Sequence, residues 1–237
     1  MKRLSVLLLV LLLASAVQAG TVSLGSDADT WVRAGSSDIY GADPSMYLVA
    51  GPGRVGYVRF DLSSLGVVTI QSATLTFTKA AAPWGRSDTI VTGRFALTGL
   101  DNLAGNTAQD WDEASFGSAA VGAEFVGAGA EPIDLAKVTN LDMDDGVDII
   151  ETITGGVTIT LTGNALVDFL QARVNDGGLV TVIAAFPGTD NKGYWLASKE
   201  NETESARPVL EVTYVPEPAT MVLLGLGSLL ALRRKNG

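Results

Sequence analysis

Two segments of the chain alternate apolar and polar residues with a period of two, which is the spacing of side chains on one face of a β-strand. In residues 72–78 one face carries Ala73, Leu75 and Phe77, and the other carries threonines. Residues 209–214 alternate in the same way, with Leu210, Val212 and Tyr214 predicted to point inward. Threonine favours strands and tolerates water, so each strand is predicted to have one buried and one solvated face.

Further short runs are rich in β-favouring residues, and clusters of Gly, Asp, Asn and Pro separate them, as at 42–44 and 51–53. These runs lie at residues 30–34, 46–50, 56–62, 157–161 and 179–186. Many short strands with turn residues between them predict an all-β chain folded as a β-sandwich.

One helix is predicted after residue 163, with Asn164 as its N-cap and residues 175–178 (Asn-Asp-Gly-Gly) as its end. Apolar residues follow at helical spacing, namely Leu166, Phe169, Leu170 and Val174. We expect this short helix to close one end of the sandwich with its apolar stripe on the core.

The chain contains no cysteine and no histidine. Without disulfides, the folded chain must draw its stability from a hydrophobic core. Without histidine, Ser-His-Asp and Cys-His catalysis are excluded, together with the commonest zinc ligand. Only a carboxylate-based site or a calcium-type site remains, and no carboxylate pair in the sequence indicates a glycosidase, so we expect no enzymatic activity.

The formal net charge is −10, and several of the few basic residues lie at the two ends of the chain. The body between the ends is therefore more acidic still. An acidic body argues against nucleic acid and anionic membrane surfaces as partners.

The amino-terminal end is typical of a secretory signal peptide. Lys2 and Arg3 precede an apolar run over residues 4–13, and small residues then lead to a cleavage site after Ala19, or alternatively after Ala16. Residues 1–19 are therefore assigned to the signal peptide, and residues 20–214 to the folded domain.

The carboxyl-terminal end combines a short polar motif, an apolar run over residues 219–232 and the basic cluster 233–235. The apolar run is interrupted by glycines and is shorter than the ~20 residues that span a bilayer comfortably. With Pro216, Glu217 and Pro218 before it, residues 215–237 resemble the PEP-CTERM sorting signal. The resemblance implies transient inner-membrane insertion, recognition of the three motif residues by an exosortase-type enzyme, and delivery to the cell surface or the extracellular space. An ordinary single-span tail anchor is the alternative.

Five segments of the body, taken in order, resemble the DNRLRE domain, which is similar to carbohydrate-binding module family 96. They begin at residues 28, 56, 111, 159 and 197; the second reads Arg59-Phe60-Asp61-Leu62-Ser63-Ser64-Leu65, followed by Ile70-Gln71-Ser72-Ala73-Thr74-Leu75. The resemblance implies a jelly-roll-like β-sandwich, a non-catalytic role and, in some members, polysaccharide binding. This chain departs from the pattern in an extra acidic stretch at residues 141–150.

Aromatic side chains are the candidate sugar-binding residues, because a pyranose face stacks on a flat apolar ring. Trp84 lies in a turn-like segment beside Arg86, which could bond a hydroxyl or carboxylate; Tyr40 and Trp195 are weaker candidates. The alternative is that each packs locally under a loop, and Trp31 and Trp111 are expected to be buried.

Charged residues of the resembling segments have two possible roles, structural ion pairs or ligand binding, and we favour the structural one. These residues are Arg59, Glu113, Lys199, Glu200 and Arg207.

Calcium is the one candidate cofactor, in an oxygen-rich loop that contains a glycine. Its candidate ligands are Asp142, Asp144, Asp145 and Asp148, with a solvated acidic turn as the alternative; Asp27 and Asp29 are weaker candidates. The loop departs from the EF-hand, because Ile153 stands where the bidentate glutamate belongs.

The sequence thus predicts an exported, non-catalytic surface or matrix protein that binds polysaccharide. A structural protein without a sugar site is the second hypothesis, and a polysaccharide-degrading enzyme is the third.

Overall fold

The segments with period-two alternation form antiparallel strands in two sheets. The computed structural model describes residues 18–33, 35–49, 53–81, 92–100, 111–116, 138–141, 147–150, 158–185 and 193–217. Within these ranges the chain forms twelve strands and one α-helix, α1 (Asn164–Val174). The predicted all-β sandwich with one short helix is confirmed.

The smaller sheet has four strands in the order β1-β12-β5-β9, and all its neighbours are antiparallel. Its strands are β1 (Gly20–Gly25), β5 (Val68–Thr78), β9 (Thr158–Thr162) and β12 (Val209–Pro216). The first and last strands of the body therefore lie side by side, which joins the two ends of the domain.

The larger sheet follows the order β11-β3-β4-β10-β6-β7, with β2 also paired to β4 and β8 to β6. Its strands are β2 (Ala28–Arg33), β3 (Ser45–Val49), β4 (Arg54–Asp61), β6 (Thr92–Leu100), β7 (Val138–Asn140), β8 (Val147–Ile150), β10 (Leu179–Ala185) and β11 (Gly193–Ala197). The predicted strands agree with these bounds to within a few residues.

The main core contains side chains from both sheets. Leu75 and Phe77 of β5 are fully buried and pack with Val58 and Phe60 of β4. The predicted inward faces of β5 and β12 are confirmed, although Tyr214 is only half-buried. Burying each large apolar side chain contributes about 1.5–3 kcal/mol, which stabilises a fold that has no disulfide.

A second cluster of buried side chains forms around the other side of β4. Residues 111–116 pack Trp111 and Phe116 against Tyr57, and the Trp111 indole N–H donates to Thr181 Oγ1 over 3.0 Å. Both faces of β4 are therefore buried, and the segment that carries Glu113 is held against the larger sheet.

The helix packs on the core with Leu166, Phe169 and Leu170, as predicted. Gln171 fixes it to β5 by accepting from the Ile70 N–H and donating to the Val68 carbonyl. The predicted N-cap is wrong, because Asn164 is already the first helical residue and Gly163 precedes it with no side-chain cap. The predicted end is confirmed: Gly178 has φ +87°, and its N–H donates to the Arg173 carbonyl.

Candidate functional site

Four segments that are distant in sequence meet at one junction of loops and strand ends. The segments are residues 26–29, 40–44, 111–116 and 198–201. Ser198 is almost completely buried, and its hydroxyl donates to the Asp43 carbonyl over 2.6 Å. The Asn201 amide donates to the Pro44 carbonyl, and the Trp31 indole N–H donates to Asp43 Oδ2. These bonds connect the turn after β11 to the loop before β3.

Four charged side chains, Asp29, Glu113, Lys199 and Glu200, lie together at this junction and are called the carboxylate–lysine cluster. The Lys199 ammonium lies 2.7 Å from Glu113 Oε2 and 2.5 Å from Glu200 Oε1. Asp29 Oδ2 accepts from the Lys199 backbone N–H over 2.7 Å and from the Ser26 hydroxyl over 3.0 Å. The cluster therefore fastens the start of β2 to residues 111–116 and to the turn after β11.

Local turns position the two glutamates. Asp112 accepts hydrogen bonds from the Ala114 and Ser115 N–H groups, so residues 112–115 form a tight turn that carries Glu113. Glu200 lies in a turn that the Asn201 N–H closes on the Ser198 carbonyl. Gly41 packs directly on Glu113, since a Cβ at Gly41 would lie 2.7 Å from the Glu113 carbonyl oxygen.

Burial sets the electrostatics of the cluster. It raises the pKa of Asp29 to about 7, because the side chain is only 1 % exposed and Glu200 and Glu113 add negative charge nearby. It also raises the pKa of Glu113, against the hydrogen bond from Lys199. Burial alone would lower the pKa of Lys199, but the hydrogen bonds to Glu113 and Glu200 outweigh it and raise that pKa.

An ion pair next to the cluster holds β4 to the same loops. Arg59 bonds Asp27 through Nε and NH2, and its NH1 donates to the Trp111 carbonyl. Arg207 donates from Nε to the Asn201 carbonyl over 3.0 Å. The contacts of Arg59, Glu113, Lys199, Glu200 and Arg207 agree with the predicted structural role.

An aromatic row of Tyr40, Trp31, Tyr47 and Trp195 lies beside this junction. Tyr40 stacks on Trp31 with ring centroids 3.6 Å apart, and Tyr47 stacks on Trp195 at 4.2 Å. The Arg54 guanidinium lies 4.5 Å from the Tyr47 ring centroid. The two tryptophans are buried at 6 % exposure, whereas the two tyrosines are half-buried and reach the surface.

Polar groups border the exposed side of the row. The Tyr40 hydroxyl donates to Asp38 Oδ2 over 3.0 Å, and Ser36 donates to the same oxygen over 2.8 Å. Hydrogen bonds from Ser36 and Tyr40 lower the pKa of Asp38, so this carboxylate remains an acceptor on the surface. Ile39, which lies between Asp38 and Tyr40 in the sequence, is 51 % exposed.

The predicted sugar-binding residues divide into two groups. Tyr40 and Trp195 both belong to the aromatic row, and the Trp195 side chain is buried there in β11. Trp84 and Arg86 lie outside the described residues. Tyr47 and Arg54 were not predicted as site residues, although Tyr47 is an aromatic residue within the predicted strand at 46–50.

The predicted calcium loop lies mostly outside the described residues, since these omit Asp142, Asp144 and Asp145. Asp148 lies in β8, where its backbone pairs with Arg94 of β6. At the chain ends, Ala19 precedes β1, Pro216 ends β12, and Glu217 donates its N–H to the Val67 carbonyl. Pro218 lies outside the described residues.

A concavity beside α1 is a second place where a ligand could lie. Its lining includes Asp168 and Asp176 together with Phe169 and Thr139. Asp176 is paired with Arg173 at 2.8 Å. Asp168 lies in α1, and Asp176 lies in the turn after it.

The chain matches the PEP-CTERM protein-sorting motif over residues 215–235. The match places this chain among proteins that an exosortase sorts to the cell surface or the extracellular space. A comparison with curated proteins finds no match to this chain. Among the residues that the structure describes, no helix is long and apolar enough to cross a membrane; the apolar run of the tail lies outside them.

Proposed function

We propose that the body of this chain is a non-catalytic polysaccharide-binding module that works at the cell surface or in the extracellular matrix. The observation that carries the proposal is the aromatic row, with two half-exposed tyrosines beside Asp38 and Arg54. The sorting motif supports the setting, since extracellular polysaccharide is within reach of a protein delivered there.

The aromatic row has the composition of a sugar-binding surface. A pyranose ring packs its apolar face on an aromatic side chain and directs its hydroxyls to polar groups at the rim. Tyr40 provides the ring, Asp38 and Ser36 provide hydrogen-bonding groups, and Arg54 provides a cation for a hydroxyl or carboxylate. Because Trp31 and Trp195 already support the tyrosines from below, little side-chain freedom would be lost on binding.

The resemblance to the DNRLRE domain supports the same proposal. Three of the five segments that carry the resemblance contribute residues to the junction, namely Asp29, Glu113 and Lys199, and a fourth contributes Arg59, which bonds the Trp111 carbonyl there. Their contacts are structural, which fits a scaffold that holds the neighbouring aromatic row in place.

A non-catalytic role is favoured over the enzyme hypothesis by burial. Raised carboxyl pKa values, such as those of Asp29 and Glu113, are common in active sites. However, Asp29 is 1 % exposed and the Lys199 ammonium pairs with both glutamates, which disfavours the approach of a glycosidic bond. At the concavity, Asp168 and Asp176 are a further pair of carboxylates among the described residues, but Asp176 is already paired with Arg173.

Affinity gel electrophoresis with neutral and acidic polysaccharides tests binding. We expect one polysaccharide to retard the protein, and Tyr40→Ala and Tyr47→Ala each to weaken that retardation by about two- to tenfold, since a stacked ring contributes about 0.5–1.5 kcal/mol. Tyr214→Ala in the other sheet is the matched control and should bind normally. Binding unchanged in both tyrosine variants contradicts the proposal, and no binding to any glycan favours the structural hypothesis.

Release of reducing ends from the same polysaccharides tests the enzyme hypothesis. We expect no release by the unmodified protein. Release that disappears in Asp168→Asn or Asp176→Asn would show that the concavity is an active site.

Processing of the tail is proposed to depend on Pro216, Glu217 and Pro218, after signal-peptide removal at Ala19. Replacing the three residues with alanine should leave a full-length precursor in the membrane fraction, whereas the unmodified chain is shortened and exported. Normal trimming of the triple variant would contradict the role of these residues.

A further inference from the structure

The carboxylate–lysine cluster leaves one oxygen of each carboxylate weakly used or unused. The Lys199 ammonium pairs with Glu113 Oε2 and Glu200 Oε1, and the backbone N–H of Lys199 donates to Asp29 Oδ2. Among the described residues, Asp29 Oδ1 and Glu200 Oε2 are buried oxygens without a hydrogen-bond partner. Glu113 Oε1 accepts only a long bond of 3.4 Å, from the Asp29 N–H.

Unpartnered buried oxygens are costly in a folded protein. Leaving a buried acceptor unsatisfied costs roughly 1–3 kcal/mol, and more for a charged group. Asp29 is 1 % exposed, so bulk water does not solvate its free oxygen. Two such atoms in one small cluster indicate that these oxygens bind a partner that is not a protein group.

The charges of the cluster point to the kind of partner. Three carboxylates face a single ammonium, so two negative charges remain uncompensated when all four groups are ionised. The neighbouring Arg59 is already engaged by Asp27 and the Trp111 carbonyl. A divalent cation would neutralise the cluster.

The geometry points to a cation of the size of calcium. One oxygen from each of Asp29, Glu113 and Glu200 lies within 4.8 Å of the other two. Calcium binds oxygens at about 2.3–2.6 Å, so oxygens on opposite sides of one ion are about 5 Å apart. We propose that Asp29, Glu113 and Glu200 bind one Ca²⁺ ion beside Lys199.

Calcium is favoured over other divalent ions by the ligand set. All three ligands are carboxylates, which are hard oxygen donors that soft or borderline metals do not select. They come from the start of β2 and from two turns that are distant in sequence. Calcium has a flexible coordination geometry that tolerates such a ligand set, whereas magnesium demands near-ideal octahedral geometry. Such an ion would join segments 84 and 171 residues beyond Asp29 in a chain without disulfides.

Calcium titration of the full-length chain, stripped with EDTA, tests the proposal. Calorimetry should show one ion bound per chain, and 5 mM CaCl₂ should raise the unfolding midpoint by about 5 °C or more, because a ligand that binds only the folded state stabilises it. MgCl₂ at equal ionic strength should give a much smaller shift. A midpoint and calorimetric signal that do not respond to calcium would overturn the proposal.

Isosteric variants locate the ion. Glu200→Gln and Asp29→Asn should each weaken calcium binding at least about tenfold, while Asp38→Asn, which removes an exposed carboxylate elsewhere, should bind normally. Glu200 is partly exposed, so its variant remains informative if Asp29→Asn does not fold. Normal binding by Glu200→Gln would overturn the proposed site.

Two further variants separate this site from its alternatives. Asp144→Asn with Asp145→Asn changes the predicted calcium loop and should leave binding intact; loss of binding there would place the ion in that loop instead. Lys199→Gln should tighten binding, because the ammonium no longer repels the ion. Weaker binding by Lys199→Gln would contradict a calcium position next to this lysine.

Discussion

Arg173 is a buried cation and Lys199 a partly buried one, and the two are held by very different means. Arg173 is 4 % exposed and finds its partners within six residues, at the Asp176 carboxylate and the Leu179 carbonyl. Lys199 bonds its neighbour Glu200, but its second partner, Glu113, is 86 positions away in the sequence. The first arrangement stabilises one helix end, and the second fastens three separate segments together.

The difference also concerns charge balance. Arg173 meets one carboxylate, and that carboxylate is 55 % exposed, so water shares its charge. Lys199 meets two partly buried carboxylates, and a third lies next to its backbone N–H. Removing the lysine therefore leaves uncompensated negative charge on partly buried glutamates beside the buried Asp29, whereas removing the arginine leaves a solvated aspartate.

The largest expected effect follows from replacing each cation by methionine. Lys199→Met should lower the free energy of unfolding by about 3 kcal/mol, since unpaired buried charge is strongly destabilising. Arg173→Met should cost about 1–2 kcal/mol, the value of its lost hydrogen bonds. Urea denaturation of both variants under the same calcium-free conditions measures the difference. If Arg173→Met proves the more destabilising of the two, the contrast between local and distant partners is wrong.

A smaller effect is expected where the distant segments touch. Gly41→Ala should destabilise the protein by about 1–2 kcal/mol, because the new methyl group would press on the Glu113 backbone and force it to shift. Gly25→Ala is the matched control, since a Cβ there meets nothing within 4 Å. Thermal unfolding compares the two variants. Equal unfolding midpoints would mean that the junction accommodates the methyl group without loss of stability.

The smallest effect belongs to a purely local contact. Asp61 accepts from the Ser63 N–H, and hydrogen bonds from Ser63 lower the pKa of this aspartate. Asp61→Ala should cost about 0.5 kcal/mol at neutral pH, as for a weak capping contact. A lowered folded-state pKa means that this stability is present above the unfolded pKa near 4 or so and is lost as the pH falls through the folded value. Urea denaturation from pH 7 to pH 2 measures the loss; Asp61→Asn, which does not titrate, should not show it.

The elements with a regular residue pattern could be predicted from sequence. The alternation in β5 gives its buried face directly, because Ala73, Leu75 and Phe77 meet the core and the intervening residues do not. The apolar spacing of α1 gave its buried side in the same way. Its N-cap was wrong because Gly163, at φ +123°, occupies the position that Asn164 was expected to fill.

Five strands, β1, β6, β7, β8 and β11, were not predicted, and two of them, β1 and β11, were missed for opposite reasons. β1 contains few apolar residues. It is held mainly by its pairing with β12, which is a contact between the two ends of the domain. Residues 194–197 of β11 are buried on both faces, so no alternation marks them. Trp195 was therefore considered for a surface role, although its side chain packs on Tyr47.

The carboxylate–lysine cluster could be predicted only as a set of charged residues. Glu113, Lys199 and Glu200 were predicted as candidates for ion pairs, and Asp29 only as a weaker calcium candidate. Their grouping depends on contacts across 84 to 171 positions. No periodicity or spacing within one segment indicates that these four residues lie together. It follows from the antiparallel packing of β2 and β4, the cover formed by residues 111–116, and the turn after β11.

The last strand of the sandwich contains the beginning of the sorting motif. Pro216 pairs with Val68, and Glu217 bonds the Val67 carbonyl. Only four steps of chain separate Glu217 from Met221 in the apolar run, a reach of at most about 14 Å. If that run is inserted in a bilayer, almost no linker separates the folded domain from the membrane. The end of β12 then fixes the orientation of the domain relative to the membrane. A processing enzyme would then act in a space between bilayer and domain that is narrower than the domain itself. Otherwise residues 215–217 would first have to separate from the sheet.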